Sequence, residues 1–376
     1  MTTRRNTVFI GTPDFALPAL QGLIDSKTWN VAAVITQPDK PAGRGQKLTP
    51  PAVKVMAEKY SIPVFQPKSL KSLKLSSEQL TINHRPAITG NPEVLGMCEA
   101  LNAIENLDVI VTVAYGKIIP TALLNFAPRG IINIHPSLLP RWRGAAPLQY
   151  TIFSGDKECG VALMKAEEGL DTGPVFACEK YPLDELTTLA DLHDSLASKG
   201  AEMLLSTLEA IAQGDLTAKP QIDSDSTYAD KWTTEDATIS WNEPADVCLR
   251  RILASSPFPG ARTFFQTIAS HDNGNGQIET LKIYRAHLLP DTPTQHKQLN
   301  RYNPGDIIPN KEAALCVICG DGRILSIDEA QLPGKKRLPI SEIIKGISFQ
   351  GVSFTTPPDN DKQPPRTATD RDINTN

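Results

Sequence analysis

Through its first half the sequence alternates short continuous apolar runs with segments whose apolar residues recur every three or four positions. Residues 7–10, 31–35, 108–114 and 131–135 are apolar runs rich in β-branched residues. Between the first two, Phe15, Ala19, Leu20, Leu23 and Ile24 mark one face of a helix. A strand with no polar side must be covered on both faces, and strands joined through helices run parallel. The pattern therefore predicts an open, doubly wound α/β domain with a parallel-rich sheet. Residues 157–165 and 174–181 read as further strands at the sheet's edge. A long amphipathic helix is expected over 189–211, with Leu192, Leu196, Leu204, Leu208 and Ile211 on its inner face.

After this helix the grammar changes. Residues 212–227, rich in Gly, Asp, Ser and Pro, have the composition of a linker. Beyond them a helix near 245–254 precedes short strands at 261–265, 278–287, 313–319 and 323–329, separated by turn residues. That is a small β domain, expected to form a barrel. The predicted organisation is a first domain over 1–211, a linker over 212–227, a second domain over 228–354 and a polar, Pro-rich disordered tail over 355–376. Residues 72–103 stand where a short connection would suffice, and are expected to be a surface insertion.

A length of 376 residues suits two domains. The formal net charge of −4 argues against a protein coated in positive charge, without excluding a local basic patch. The lead before the first apolar run is too short for a targeting peptide, and no stretch reaches the ~18 apolar residues of a membrane span. A cytoplasmic protein acting as a monomer and away from membranes is expected. Six scattered cysteines do not suggest a disulfide framework. Cys316 and Cys319 have CxxC spacing, but no second pair or nearby His completes a zinc site, so buried thiols and no metal are expected.

Asn133 and His135 end an apolar run. Residues two apart on a strand share a face, so the two side chains project together and Ile134 points the other way. Ligands of open α/β sheets bind beyond the carboxyl ends of the strands. Taken alone, the pair reads more readily as a satisfied polar strand end. Two loops change that balance. Ser137, Leu138, Leu139 and Pro140 open a long loop containing Arg141, Trp142, Arg143 and Gly144. Later, Gly169 and Gly173 frame Asp171 and permit tight turns around it. A surface turn is the bland reading of that Asp.

The order Asn-x-His, Ser-Leu-Leu-Pro, then Gly-Leu-Asp-Thr-Gly resembles the folate-dependent formyltransferase family. The resemblance implies a Rossmann-like catalytic domain followed by an OB-like barrel. It implies Asn133, His135 and Asp171 as the catalytic trio, with Ser137, Leu138, Leu139 and Pro140 lining the pocket for 10-formyltetrahydrofolate. Pro136 departs from the Gly expected after the family's His.

The acceptor is read elsewhere. From Lys40 to Lys74 there are eight basic residues and one acidic residue. The segment Lys40-Pro41-Ala42-Gly43-Arg44-Gly45-Gln46-Lys47 is a Pro/Gly loop carrying three cations, suited to phosphates; a solvated basic face is the alternative for the later lysines. These segments are similar to the family members whose acceptor is initiator methionyl-tRNA, as are 64–67, 113–117, 236–241, 257–260 and 334–336. That resemblance implies Lys40, Arg44 and Lys47 as contacts to tRNA in the first domain, and Lys335 and Lys336 in the second. Rival readings are a formyltransferase acting on glycinamide ribonucleotide or an amino sugar nucleotide, a nicotinamide-dependent oxidoreductase, and a non-catalytic tRNA-binding protein. The second domain and the basic loop argue against the first. The absence of GxGxxG after the first strand argues against the second. The presence of all three polar site residues argues against the third.

Overall fold

A computed structural model describes residues 4–42, 45–76, 81–82, 85–266, 278–290, 301–308 and 315–355. The chain divides into two compact units. One comprises 1–147, 158–182 and 193–229, and the other 148–157, 183–192 and 230–376. Contacts thus group two short stretches of the first half with the C-terminal unit rather than following a single boundary near residue 211.

The first unit holds a seven-stranded sheet. Its spatial order is Val175–Pro182, Glu158–Lys165, Ile131–His135, Leu107–Val113, Arg5–Gly11, Trp29–Ile35, Val64–Phe65. The last five are mutually parallel, and Glu158–Lys165 runs antiparallel to both its neighbours. This is the expected parallel-rich sheet with the two further strands at its edge, of which Glu158–Lys165 is antiparallel. The strand order reverses between Arg5–Gly11 and Leu107–Val113, so the carboxyl ends of the central strands open a crevice. Ile10, Val34, Ile35, Val111 and Val113 near those ends are fully buried.

The helix Leu189–Gln213 runs past the strand Ile131–His135. A Cβ on Gly200 would lie 2.6 Å from Ile134 Cγ2. Ile134 is therefore directed into the helical layer. By the alternation of the strand, Asn133 and His135 face the opposite side.

Two expectations need correction. The segment 72–103 is not wholly a surface insertion. Its second half is the helix Pro92–Ala103, begun by a proline in its first turn, and Val94, Met97, Cys98 and Leu101 are buried in the same core as Val8, Ile10 and Ile110. It covers the sheet as a crossover helix must. Of the first half, Lys74–Leu75 pairs with Ile88–Thr89. The segment 212–227 is not a free linker either. Lys219 bridges Val175, and the short strand Tyr228–Ala229 pairs in parallel with Arg143–Gly144. Its composition reflects irregular backbone that is nonetheless tied down.

In the second unit, antiparallel strands run in the order Ile307–Ile308, Leu315–Ile318, Ile324–Gln331, Ile278–Leu288, Ala261–Gln266, Phe354–Thr355. The Asp306–Ser353 bridge and a bond from Phe354 N to Gly305 O (2.8 Å) join the two ends into a nearly closed barrel. Closure removes the exposed edges that a short sheet would otherwise present. Trp241, Phe265, Phe349 and Phe354 fill one end of it. The helix Ala245–Ala254 lies where the sequence placed it. Cys316 and Cys319 are buried. Cys248, hydrogen-bonded with Cys319 and buried, has its thiol pushed well above the usual range, so it behaves as an inert core group. Among the described residues no group of three or more His, Cys, Asp or Glu is arranged to hold a metal ion. No described helix is long and apolar enough to cross a membrane. The expected disordered tail lies outside the described residues, apart from Thr355, which pairs with Phe264.

Candidate active site

Asn133 and His135 occupy the carboxyl end of Ile131–His135. Asn133 is half-buried and His135 is 4% exposed. Burying an imidazole requires partners for both nitrogens. The His135 Nε2 lies 2.9 Å from the Trp142 carbonyl oxygen. That oxygen can only accept, so Nε2 carries a proton. On the other side, Nδ1 lies 3.6 Å from Asp171 Oδ2. The ring is held edge-on between a main-chain acceptor and a carboxylate.

The loop after the strand makes this arrangement possible. Ser137 N–H donates to His135 O (2.9 Å), and Ser137 Oγ donates to Arg141 O (2.7 Å), so the chain doubles back tightly. Leu138 reaches across to Glu158–Lys165: a Cβ on Gly160 would fall 2.4 Å from Leu138 Cδ2. Trp142 has φ 59°, a left-handed conformation that is strained for a bulky residue, and its N–H donates to Thr227 Oγ1 (3.0 Å). The Arg141 guanidinium stacks 4.2 Å from the Trp142 ring centre. These bonds fix the carbonyl that receives His135.

Asp171 also has a left-handed backbone, φ 52°. Its Oδ2 accepts the Gly144 N–H at 2.9 Å while facing His135. Gly173 has no room for a side chain, since a Cβ would sit 1.8 Å from Lys165 O. The two glycines read from the sequence therefore do unequal work: Gly173 permits close approach of backbone, whereas the nearest neighbour of Gly169 is the Thr172 side chain of its own loop. His135 and Asp171 are brought together, Asn133 shares the strand face of His135, and the Ser137–Pro140 turn follows directly.

The basic loop lies at the same carboxyl edge of the sheet. Lys40–Ala42 and Lys47–Thr49 form an antiparallel hairpin directly after the strand Trp29–Ile35. Lys40 donates to Gln37 Oε1 (2.5 Å), and Gln37 in turn donates to Tyr115 O (2.5 Å). Lys117 stands near enough to add its charge to this patch. Burial, and then the Lys40 charge, hold its ammonium below the usual range. Lys47 is exposed. Arg44 lies outside the described residues. The footprint is smaller than the sequence count, because Lys54 is paired with Asp39 at 3.0 Å. The Asp39 carboxyl is held low by its bonds from Gln66 and Lys54.

Comparison with known proteins accords with this architecture in both units. Residues 5–208 match the formyl transferase family, and residues 231–348 match the formyl transferase C-terminal domain. The methionyl-tRNA formyltransferase of Janthinobacterium sp. (strain Marseille) is 41% identical over 349 residues, covering 92% of this chain and 99% of that one. That of Hahella chejuensis is 39% identical, covering 92% and 95%. The chain belongs to the methionyl-tRNA formyltransferase family. Among solved structures, the sugar 3N-formyl transferase WlaRD, determined in the presence of dTDP and 5-N-formyl-THF, has a TM-score of 0.56 at 18% identity and covers 89% of this chain and 100% of its own. HypX from Aquifex aeolicus, in complex with tetrahydrofolic acid, has a TM-score of 0.54 at 17% identity, covering 92% and 48%. At such identities these two show a shared fold.

In this member of the methionyl-tRNA formyltransferase family, several residues around the trio were not singled out from sequence. Arg143, 1% exposed, bonds Gln221 Oε1 (3.0 Å) and Asp223 Oδ1 (2.8 Å). Burial disfavours its charge, but bonds to Asp223 and Tyr228 outweigh that and hold its pKa above the usual value. Gln221 Nε2 reaches both Asp171 O and Gly173 O. Gln221 and Asp223 lie in the stretch whose composition suggested a linker. The only local signal was a long polar side chain after Pro220. In the second unit, Lys335 and Lys336 are exposed in the turn between Ile324–Gln331 and Leu338–Pro339, and Arg337 is tied to Glu329 at 2.5 Å.

Proposed function

We propose that this protein transfers the formyl group of 10-formyltetrahydrofolate to the amino group of the methionyl moiety of initiator methionyl-tRNA, with Asn133, His135 and Asp171 as its catalytic residues. The observation that carries the acceptor is the end-to-end similarity to methionyl-tRNA formyltransferases, which spans both units. The convergence of the trio at the crevice edge supports the chemistry.

In the reaction the amine nitrogen attacks the formyl carbon and a C–N bond forms. Negative charge grows on the formyl oxygen. The bond from that carbon to the folate nitrogen then breaks. The attacking nitrogen gives up one proton and the leaving nitrogen takes one. The half-buried Asn133 amide is a neutral donor suited to the developing oxyanion. His135 Nε2 is committed to Trp142 O, so the working nitrogen is Nδ1, which shares its surroundings with Asp171. Asp171 takes up the amine proton, directly or through water, and His135 Nδ1 passes a proton on. The Trp142 and Gly144 contacts hold both groups in register, which lowers the entropic cost of reaching the transition state. Ser137, Leu138, Leu139 and Pro140 form the wall on which the folate rests.

Lys40 and Lys47 of the hairpin, with Arg44 between them in sequence, would meet the acceptor end of the tRNA, and Lys335 and Lys336 its phosphates farther along. Contacts of this kind displace counterions and make binding salt-dependent. The test supplies purified protein with 10-formyltetrahydrofolate and offers charged initiator tRNA, glycinamide ribonucleotide or an amino sugar nucleotide. Formylation of the tRNA is expected. Formylation of a nucleotide alone would overturn the acceptor assignment.

A further inference from the structure

Asp171 is a loop residue in an uncommon backbone conformation, yet its carboxylate must be aimed to a fraction of an ångström. Its side chain is held by one bond, from Gly144 N–H. Its backbone is held from a distant part of the chain. Both hydrogens of the Gln221 amide are used: Nε2 donates to Asp171 O (2.8 Å) and to Gly173 O (2.7 Å). These carbonyls flank the left-handed turn and need donors once half-buried. The amide cannot invert, because its oxygen accepts from Arg143 Nε at 3.0 Å. Inversion would set an amide oxygen against two carbonyl oxygens and an NH2 group against a guanidinium. Arg143 in turn precedes Gly144, the residue that binds the carboxylate, and is anchored through Asp223. One dipeptide thus restrains both ends of Asp171: Gly144 its carboxylate and Arg143, through Gln221, its backbone.

We infer that Gln221 is a positioning residue for formyl transfer, acting through the main chain of the Asp171 loop and locked by Arg143. The inference rests on Asp171 being a catalytic group. It requires that Gln221 affect turnover rather than substrate affinity, since its amide bonds main-chain carbonyls of the loop and not the groups proposed to meet substrate.

The test uses the full-length enzyme with formyl donor and charged tRNA. Gln221→Met keeps the length of the side chain and removes both donors. A fall in kcat of about ten- to hundredfold is expected, with KM for either substrate nearly unchanged, because a displacement of ~1 Å at a reacting group costs about that much. In an Asp171→Asn background, followed in single turnovers, the same change should cause little further loss, since the two residues act as one unit. Gln221→Glu is the second variant, should Met disturb folding. It keeps the Arg143 partner but turns an oxygen toward the two carbonyls, and the same loss is expected. Wild-type kcat in either folded variant would overturn the inference. So would an equal loss in both backgrounds, which would mark Gln221 as merely structural. Wild-type turnover by Asp171→Asn alone would instead overturn the catalytic assignment, and the inference with it.

Discussion

Gly144→Ala tests whether the geometry around Asp171 is as constrained as the structure requires. Gly144 has φ 122°, which L side chains rarely adopt. A Cβ there would lie 2.6 Å from Ala229 O and 3.2 Å from its carbonyl carbon, so the obstacle is backbone and cannot swing aside. Relief requires residue 144 to rotate or the pairing of Arg143–Gly144 with Tyr228–Ala229 to open. That pairing carries Arg143 N–H to Thr227 O (2.9 Å) and Ala145 N–H to Ala229 O (2.8 Å). Backbone strain of this kind costs about 1–3 kcal/mol. Losing the charge-assisted bond from Gly144 N–H to the Asp171 carboxylate (2.9 Å) costs about 1.5–3 kcal/mol more. If the chain relaxes by opening, the strain is relieved and the bond is lost; if it does not, the strain remains. Either way a destabilisation of about 1–3 kcal/mol is expected, which lowers Tm by roughly 2–12 °C for a unit of this size. Opening would also cost Asp171 the contact that aims its carboxylate, and kcat should then fall about a hundredfold. Thermal unfolding and steady-state formylation of charged tRNA measure the two effects. Wild-type Tm together with wild-type kcat would refute the reasoning, for it would mean that the Gly144 amide neither needs its conformation nor orients Asp171.

Other outcomes follow from the same structure. Asn133→Ala should lower kcat by about 10²–10³, the usual cost of removing one oxyanion donor, and His135→Ala should also impair turnover; if both kept wild-type turnover the trio would be wrongly assigned. Arg44→Leu should raise KM for tRNA more than KM for the folate, and Lys335→Ala with Lys336→Ala should make log K for tRNA less steep against log salt by about one per lysine; unchanged slopes would remove these lysines from the interface. Asp246→Asn should destabilise the second unit at neutral pH by about 1 kcal/mol, since its side chain is 40% exposed. Burial opposes ionisation of Asp246, but Arg250 and Arg323 outweigh it and hold the carboxyl below its usual range. A depressed folded-state pKa gives stability that is present above the unfolded value of about 4 and lost as pH falls through the folded value, so the wild-type advantage in urea unfolding should vanish in acid. An advantage that persisted there would contradict the ion-pair account.

Much of the fold was legible because its signals are local. Continuous apolar runs such as 131–135 and the periodic leucines of 189–211 report how the chain buries itself within a few residues. The shared face of Asn133 and His135 followed from strand alternation alone, and Ile134 against Gly200 bears it out. The helix Pro92–Ala103 was missed although Val94, Met97, Cys98 and Leu101 have helical spacing, because the exposed Leu95 and the half-buried Ala100 set apolar residues off that stripe and blur it. Arg44, which the resemblance marked most strongly for tRNA, lies outside the described residues.

By itself, then, the sequence determined the alternating sheet, the barrel that follows it, and two of the trio's three side chains on a common face. The third was visible only as an Asp between glycines. What aims it was decided by tertiary structure. Gly144, Gln221 and Arg143 are 27, 50 and 28 residues from Asp171 or farther along than any local pattern extends, and their bonds satisfy main-chain groups rather than follow a periodicity. Composition registers that the 212–227 segment is irregular. It cannot register which buried carbonyls that segment's side chains will find, because such pairing depends on where distant backbone is left without a partner once the sheet has formed.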